Sequence, residues 1–212
     1  MEKEIIAGIK APDSRLAVEA TELAREVSAP VVFNHVMRSW LFAETLGRAR
    51  GIKYDRELVY VGAILHDLGL TDRFAGPERF EVDGANAARD LLRAHGTAED
   101  KIWLVWDAIA LHSTPSIASS KQPEVAVVHF GISVDVVGFG IEEVPRASID
   151  AITAAYPRLH FKRDFMKSLA AVAARKPHQA FGNFVADVGE RHVKGFARLN
   201  FCDLMESVPI AE

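Results

Sequence analysis

Hydrophobic residues recur every three or four positions along most of this chain, which is the spacing of an amphipathic α-helix. The first such segment is predicted from Ser14 to Val27. Its apolar positions share one helical face: Leu16, Ala17, Ala20, Leu23 and Ala24. Pro30 suits the first turn of a second helix, which we expect to run to about Arg50. Gly51 follows, and glycine commonly ends a helix at this position.

Three more helices are predicted before the middle of the chain. Their expected ranges are 55–68, about 84–95 and 97–112. Asp55 can cap the third helix, and Gly69 and Gly96 are expected to end the third and the fourth. The segment Thr97-Ala98-Glu99-Asp100 has the form of a capping box and would open the fifth helix.

The helical pattern continues after a loop rich in serine and proline at 113–123. The next segment, 124–139, is strongly apolar, and although its valines would suit a strand, its length favours a buried helix. Further helices are expected at about 145–156, 161–175 and 179–193. We find no alternating strand pairs and no hairpin turn signal. The pattern therefore predicts an all-α fold, a helical bundle that forms a single domain over residues 1–212.

Composition and charge narrow the class of protein. Nearly half of the 212 residues are hydrophobic and a quarter are charged, which is typical of soluble globular proteins. The net charge of −4 indicates no basic surface for nucleic acid, and no apolar run approaches the roughly 20 residues that span a bilayer. The single cysteine, Cys202, fits a reducing compartment. We expect a cytoplasmic protein with a small-molecule substrate and no nucleic-acid or membrane partner. An exposed apolar helix among the last three would support a homodimer.

The segment AILHDLG places His66 beside Asp67 in an otherwise apolar run. Burying an imidazole and a carboxylate costs several kcal/mol unless each finds a partner. Two further polar residues lie in equally apolar surroundings, His35 in FNHVM and Asp135 in SVDVV. One divalent metal ion would satisfy all four side chains and would neutralise the buried carboxylates.

Each of these residues also has an interpretation that requires no metal. His35 would be a core histidine bonded to a backbone carbonyl, and Asp67 would cap its helix or bond His66. Asp135 would pair with an arginine such as Arg38, which lies one turn after His35. A single ion explains the four positions more economically than separate pairings, so the sequence favours a metal site.

A histidine, an adjacent His-Asp pair and a distant aspartate, each on a separate helix, resemble the HD-domain superfamily of metal-dependent hydrolases. The flanking segments FNHVMRSWLFA, AILHDLGLTDRF, RFEVDGANAARDLL and AIALHST are similar to its cyanamide hydratase-like branch, with a core at about residues 30–196. The resemblance implies an HD-domain helical bundle in which His35, His66, Asp67 and Asp135 bind one divalent metal. It also implies addition of water to the carbon–nitrogen triple bond of cyanamide, giving urea, at a site commonly filled by zinc. Iron, manganese or nickel would suit the same ligands.

Four residues are candidates for catalysis or substrate binding. Asp67 would shuttle a proton if it binds the metal loosely. His112 matches a histidine of the family pattern and would donate a proton, contact the substrate or bind a second metal, although a histidine also suits the last turn of a helix through the dipole alone. Phe74 and Glu81 would line a small substrate pocket, and Glu81 can equally be a solvated loop carboxylate.

Three functions fit these features. The first is hydration of a small nitrile by a cyanamide hydratase-like enzyme that uses a metal-activated water. The second is hydrolysis of a nucleotide or phosphomonoester. Phosphate sites usually rely on several charged donors, and no cluster of lysine or arginine surrounds the predicted ligands, which weighs against this function. The nearby cations are Arg38, Arg73 and Arg79. The third is a non-catalytic ligand-binding module, which would not need a complete ligand set.

Overall fold

The structure, a computed structural model, describes residues 5–210 and is helical almost throughout, which confirms the predicted fold class. The α-helices of this range are α1 Arg15–Val27, α2 Pro30–Ala49, α3 Arg56–Leu65, α4 Phe80–Ala94, α5 Glu99–Ala110, α6 Pro115–Ser119, α7 Pro123–Val137, α8 Arg146–Ala155, α9 Phe161–Arg175, α10 Val185–His192 and α11 Phe201–Glu206. Short 3₁₀ helices lie at Leu68–Leu70, Ile141–Glu143 and Pro177–Ala180.

Several helix ends lie where the sequence predicts them. Ser14 and Asp55 cap α1 and α3, because their side-chain oxygens accept hydrogen bonds from main-chain amides of the first turn. α2 ends one residue before Arg50, and Gly51 follows with a φ of 64°. α9 spans the predicted residues 161–175.

The predicted end of the third helix is wrong, and the difference concerns the candidate site. α3 ends at Leu65, His66 is its C-cap, and Asp67 leaves the helix with a φ of −100° and a ψ of 10°. A Cβ atom at Gly69 would lie 1.9 Å from the carbonyl oxygen of Phe80. Glycine at this position therefore allows the His-Asp segment to press against the start of α4.

The predicted starts of the fourth and fifth helices are also wrong. α4 begins at Phe80, four residues earlier than expected. Asp83 therefore lies in its first turn, where its carboxylate accepts hydrogen bonds from two amides of the preceding loop. α5 begins after Ala98, whose side chain has no acceptor, so the expected capping box does not form. The carboxylate of Glu99 binds Arg93 instead.

Three further elements differ from the prediction. The expected loop at 113–123 contains α6, and the expected helix at 179–193 is divided near Gly182, which takes a φ of 71°. The strands Ile5–Ile6 and Ile9–Lys10 form an antiparallel hairpin that the sequence pattern does not indicate. Strands of two residues are too short to show an alternating pattern.

The contact between α2 and α7 positions the candidate site. A Cβ atom at Gly131 of α7 would lie 2.1 Å from the carbonyl oxygen of Ser39 on α2, so the two helices approach more closely than a larger side chain would allow. His35 lies four residues before Ser39, and Asp135 lies four residues after Gly131. Each is therefore one helical turn from the crossing, on the face turned towards the other helix.

Two hydrophobic clusters form the interior. The larger one surrounds α2 and draws buried residues from α1 to α8. The smaller one is built mainly by α9 and α10, together with Val31, Val32 and Phe80. We call residues 161–192, which contain α9, a 3₁₀ helix and α10, the cap. Between residues 5 and 210, none of the helices combines the length and the hydropathy that a bilayer crossing requires.

Candidate metal centre

Three of the four predicted metal ligands meet at one buried point. His35 Nε2 lies 3.2 Å from His66 Nε2, and Asp67 Oδ2 lies 3.6 and 3.3 Å from these two nitrogens. The ligand atoms all lie within 4.8 Å of one another, and the residues are at most 2 % exposed. Ligands bound tetrahedrally at zinc distances lie roughly 3.3–3.6 Å apart. The three residues therefore have the spacing of ligands around one cation.

Asp135, the fourth predicted ligand, lies on the other side of the His35 ring. Its Oδ2 is 2.7 Å from His35 Nδ1, and the Arg38 guanidinium donates to both of its oxygens at 2.8 Å. Arg158 donates to Oδ1 at 2.9 Å. Burial raises the pKa of Asp135, but His35 and Arg38 outweigh this effect and hold the pKa well below its usual range. The structure thus places Asp135 outside the group of three and pairs it with Arg38, as the metal-free interpretation supposed.

The partners behind the two imidazoles determine which nitrogen faces the centre. His35 Nδ1 contacts Asp135, and His66 Nδ1 lies 2.8 Å from the carbonyl oxygen of Ala63. An acceptor at Nδ1 keeps the ring proton there and leaves the Nε2 lone pair free for a metal. Metal-binding histidines usually have such a carboxylate or carbonyl behind them. Asp135 therefore orients His35.

Asp67 is the clearest indication that a cation belongs here. Neither of its carboxylate oxygens has a hydrogen-bond partner in the part of the chain that the structure describes. His66 Nε2 is close enough for an ion pair but is not placed to donate a hydrogen bond. Burial raises the pKa of Asp67, but attraction to His66 outweighs burial and lowers the pKa to about 2. A buried, ionised carboxylate without hydrogen bonds is costly unless a cation balances it.

His112 brings a third imidazole to the cluster. Its ring centroid lies 4.8 Å from that of His66, and its Nδ1 lies 2.7 Å from the carbonyl oxygen of Ile109, which leaves its Nε2 lone pair free. Burial, followed by repulsion from His66, lowers the pKa of His112 to about 4, so the ring is neutral at pH 7. His129 Nδ1 donates to the main-chain carbonyl oxygen of His112 at 2.7 Å and fixes this end of α5.

Comparison with protein-family models identifies the group to which this centre belongs. The HD domain model matches residues 32–144, just over half of the chain. The chain belongs to the HD domain family. The matched range contains His35, the His66-Asp67 pair and Asp135.

Two relatives extend the comparison beyond the HD domain range. Cyanamide hydratase DDI2 and cyanamide hydratase DDI3 of Saccharomyces cerevisiae are each 28 % identical to this chain over 177 residues. The similarity covers 81 % of the chain and 78 % of each relative. These findings confirm the resemblance drawn from the sequence, and the protein is a metal-dependent hydrolase or hydratase of the HD domain family.

Glu81 of this HD domain is not the solvated loop carboxylate that one interpretation allowed. It is 1 % exposed, and its Oε1 accepts hydrogen bonds from Ser113 Oγ at 2.6 Å and Arg79 Nη2 at 2.7 Å. Burial raises the pKa of Glu81, but Arg79 and the nearby His112 lower it below its usual value. Glu81 is thus a buried anion close to His112, and its contact with substrate stays a prediction.

Phe74, the other predicted substrate contact of this HD domain, packs against the larger hydrophobic cluster. The guanidinium carbon of Arg73 lies 5.4 Å from the centroid of its ring. A role for Phe74 in binding substrate therefore stays a prediction.

Several residues at the HD centre carried no sequence-based role. His129 and Arg158 support His112 and Asp135 through the contacts described above. Phe161 and Phe165 of the cap pack on the ring of His35, at centroid distances of 4.8 and 5.3 Å. Their spacing of four residues predicts that they share one face of a helix, but it does not show what that face covers.

Proposed function

We propose that this HD domain hydrates a small nitrile, with cyanamide as the reference substrate and zinc as the metal. The observation that carries the proposal is the buried centre, where two imidazole lone pairs and an ionised carboxylate face one point. The similarity of most of the chain to two cyanamide hydratases supports the substrate class.

The donor set fits a catalytic metal. His35, His66 and Asp67 would hold the ion, and Asp135 would keep His35 oriented. Catalytic zinc sites commonly use three protein ligands and keep a further position open, and iron(II) accepts the same set of two histidines and one carboxylate. A bound divalent ion supplies Lewis acidity, which lowers the pKa of water and polarises a nitrile nitrogen.

Hydration of a nitrile joins the water oxygen to carbon and moves both water protons to nitrogen. His112 is suited to carry these protons, because its ring is neutral at pH 7 and its Nε2 lone pair is free. The negative charge of Glu81 stabilises the His112 ring in its protonated form, during the interval in which the ring carries a proton. Asp67, at the edge of the centre, is the second candidate for proton transfer in this proposal.

The cations near the centre support a neutral substrate over a phosphate ester. Arg38 binds Asp135, and Arg79 binds Glu81. Arg73 lies 3.3 Å from a carboxylate oxygen of Glu26. Each of these three arginines therefore already has a carboxylate partner. Phosphate recognition relies on several charge-assisted donors directed at the ligand.

The test is a comparison of substrates and metals on the purified chain. Protein loaded with zinc, iron, manganese or nickel is incubated with cyanamide, with other nitriles and with a panel of nucleotides, and urea, amide and phosphate are measured. We expect urea from cyanamide. Release of phosphate without urea would establish the phosphohydrolase alternative, and metal-loaded protein that turns over none of these compounds would favour a non-catalytic module.

A matched pair of variants links this activity to the centre. Asp67→Asn should remove both the bound metal and the turnover. Asp72→Asn makes the same chemical change at a fully exposed position five residues later, and it should alter neither.

A further inference from the structure

The metal centre is enclosed by protein. His35, His66, Asp67 and His112 are between 0 and 6 % exposed. A substrate must therefore displace part of the surrounding wall to reach the ligands, and the side chains of that wall decide which molecules fit.

Two phenylalanines of the cap form the wall over His35. Their rings lie nearly parallel, at an interplanar angle of 21°, with centroids 4.7 Å apart. Both contact the His35 ring, and both belong to the smaller hydrophobic cluster, whereas the centre is built on helices of the larger one. The stacked pair Phe161 and Phe165 thus covers the His35 side of the centre from a separate hydrophobic cluster.

The two rings are held differently. The guanidinium carbons of Arg158 and Arg38 lie 4.8 and 5.5 Å from the centroid of Phe161, and both arginines are bound to Asp135. Phe161 is therefore fixed to the charged network behind His35. Phe165 lies one turn further along α9, and its ring partners among the described residues are His35 and Phe161. Phe165 therefore lacks the arginine contacts that hold Phe161, and it is the ring to substitute without disturbing the network around Asp135.

The far end of α9 is fixed to α4 by a buried ion pair. Lys176 Nζ lies 2.5 Å from Asp83 Oδ2 and donates to the carbonyl oxygen of Glu78 at 2.7 Å. A cavity of about 10 Å³ lies beside this pair, where Phe80 and Glu81 meet the cap. This volume holds about one water molecule, so the cap and α4 pack closely at this point.

We propose that Phe161 and Phe165 set the size of the substrate, restricting the centre to compact, linear molecules and excluding branched nitriles and nucleotides. The reacting group rests on the proposed function, but the size limit applies to any molecule that approaches the metal ligands. The rings cover His35, so a substituent on the nitrile that extended to this side of the centre would meet them, and the contacts of Lys176 would oppose movement of α9 away from α4.

The first test compares substrates of different width. Phe165→Leu and Phe165→Ala should raise kcat/KM for dimethylcyanamide relative to cyanamide by about tenfold or more, since hydrophobic pockets discriminate by about that factor for each added carbon. Phe33→Leu is the matched control, because Phe33 is a buried phenylalanine whose ring packs on Tyr156 and Arg25, away from the centre. The control should leave the ratio unchanged. An unchanged ratio in both Phe165 variants would overturn the proposal.

A second readout does not depend on the reaction. The zinc-loaded proteins are mixed with 1,10-phenanthroline, a bulky chelator, and the rate of zinc release is followed. Both Phe165 variants should release zinc faster than the unsubstituted chain, and Phe33→Leu should not. If neither the unsubstituted chain nor any variant hydrates a nitrile, the proposed function fails, but the zinc release rates still test the size limit. Equal rates in all proteins would overturn it.

Discussion

The contacts of Asp135 predict that this residue stabilises the fold before any metal binds. Its carboxylate accepts hydrogen bonds from Arg38 and Arg158 and lies against His35 Nδ1. Arg38 is fully buried, so Asp135→Asn leaves a positive charge in the interior without its counter-charge. The new amide also directs a donor group at donors that are already present.

The magnitude follows from the burial of each partner. Removing one partner of a buried ion pair costs roughly 3–5 kcal/mol of unfolding free energy. The Arg158 side chain is 37 % exposed, so its pair with Asp135 adds little to this value. Each kcal/mol lowers the Tm of a domain of this size by roughly 2–4 °C. We expect metal-free Asp135→Asn to unfold roughly 6–20 °C below the unsubstituted chain.

The assay is thermal unfolding of metal-stripped protein, followed by circular dichroism. Asp67→Asn is the matched control, because it makes the same change at an equally buried carboxylate that has no hydrogen bonds to lose, and it should shift the Tm less. In an Arg38→Met background, Asp135→Asn should cost much less, since the buried cation is then absent.

An unchanged Tm for metal-free Asp135→Asn, or an equal cost with and without Arg38, would refute this reasoning and favour a role for Asp135 confined to the metal. Metal affinity gives a second check. A residue that acts from behind His35 should weaken metal binding by roughly 10–100-fold on substitution, whereas the loss of a direct ligand should remove the metal.

Three further outcomes are expected. Metal affinity, measured by titration at several pH values, should fall as pH falls through the pKa of His66, because a proton then competes with the ion for Nε2. Burial lowers the pKa of His66, but Asp67 outweighs this effect and raises it above its usual value. His112→Gln should abolish turnover while metal analysis shows full occupancy; retained turnover would exclude His112 as the proton carrier. Gly131→Ala should force α2 and α7 apart and lower the unfolding free energy, measured in urea, by roughly 1–3 kcal/mol or more, and an unchanged value would contradict the close crossing.

The helices of this fold could be predicted from the sequence because their apolar spacing and end signals are local. The errors near the site have a tertiary cause. Gly69 is an ordinary helix terminator in the sequence, yet its effect depends on the carbonyl of Phe80, which presses against it in the fold. The same contact accompanies the early end of α3 and the early start of α4. Neither shift can be read from residues within one segment.

The candidate site was predictable to a similar extent. Buried polar residues in apolar helices identified His35, the His66-Asp67 pair and Asp135 as candidate ligands. The structure brings the first three to one point and places Asp135 against the other side of His35. The pairing of Asp135 with Arg38 was one of two interpretations that the sequence left open, because the choice between Arg38 and a metal depends on how α2 and α7 cross. The additional contact from Arg158, 23 residues after Asp135, could not be predicted. In the sequence, Arg158 resembles any surface arginine.

The two aspartates use their charges differently, and this difference affects what the centre attracts. The charge of Asp135 is balanced by Arg38 and Arg158, so a divalent ion held by two neutral imidazoles and Asp67 would keep about one net positive charge. Positive charge in a dry site strengthens the attraction for a nitrile lone pair and for the deprotonated form of water. If Asp135 also faced the ion, that charge would be neutralised and both effects would weaken. The two arginines would therefore favour the proposed hydration without touching the substrate, because they bind the second carboxylate behind His35.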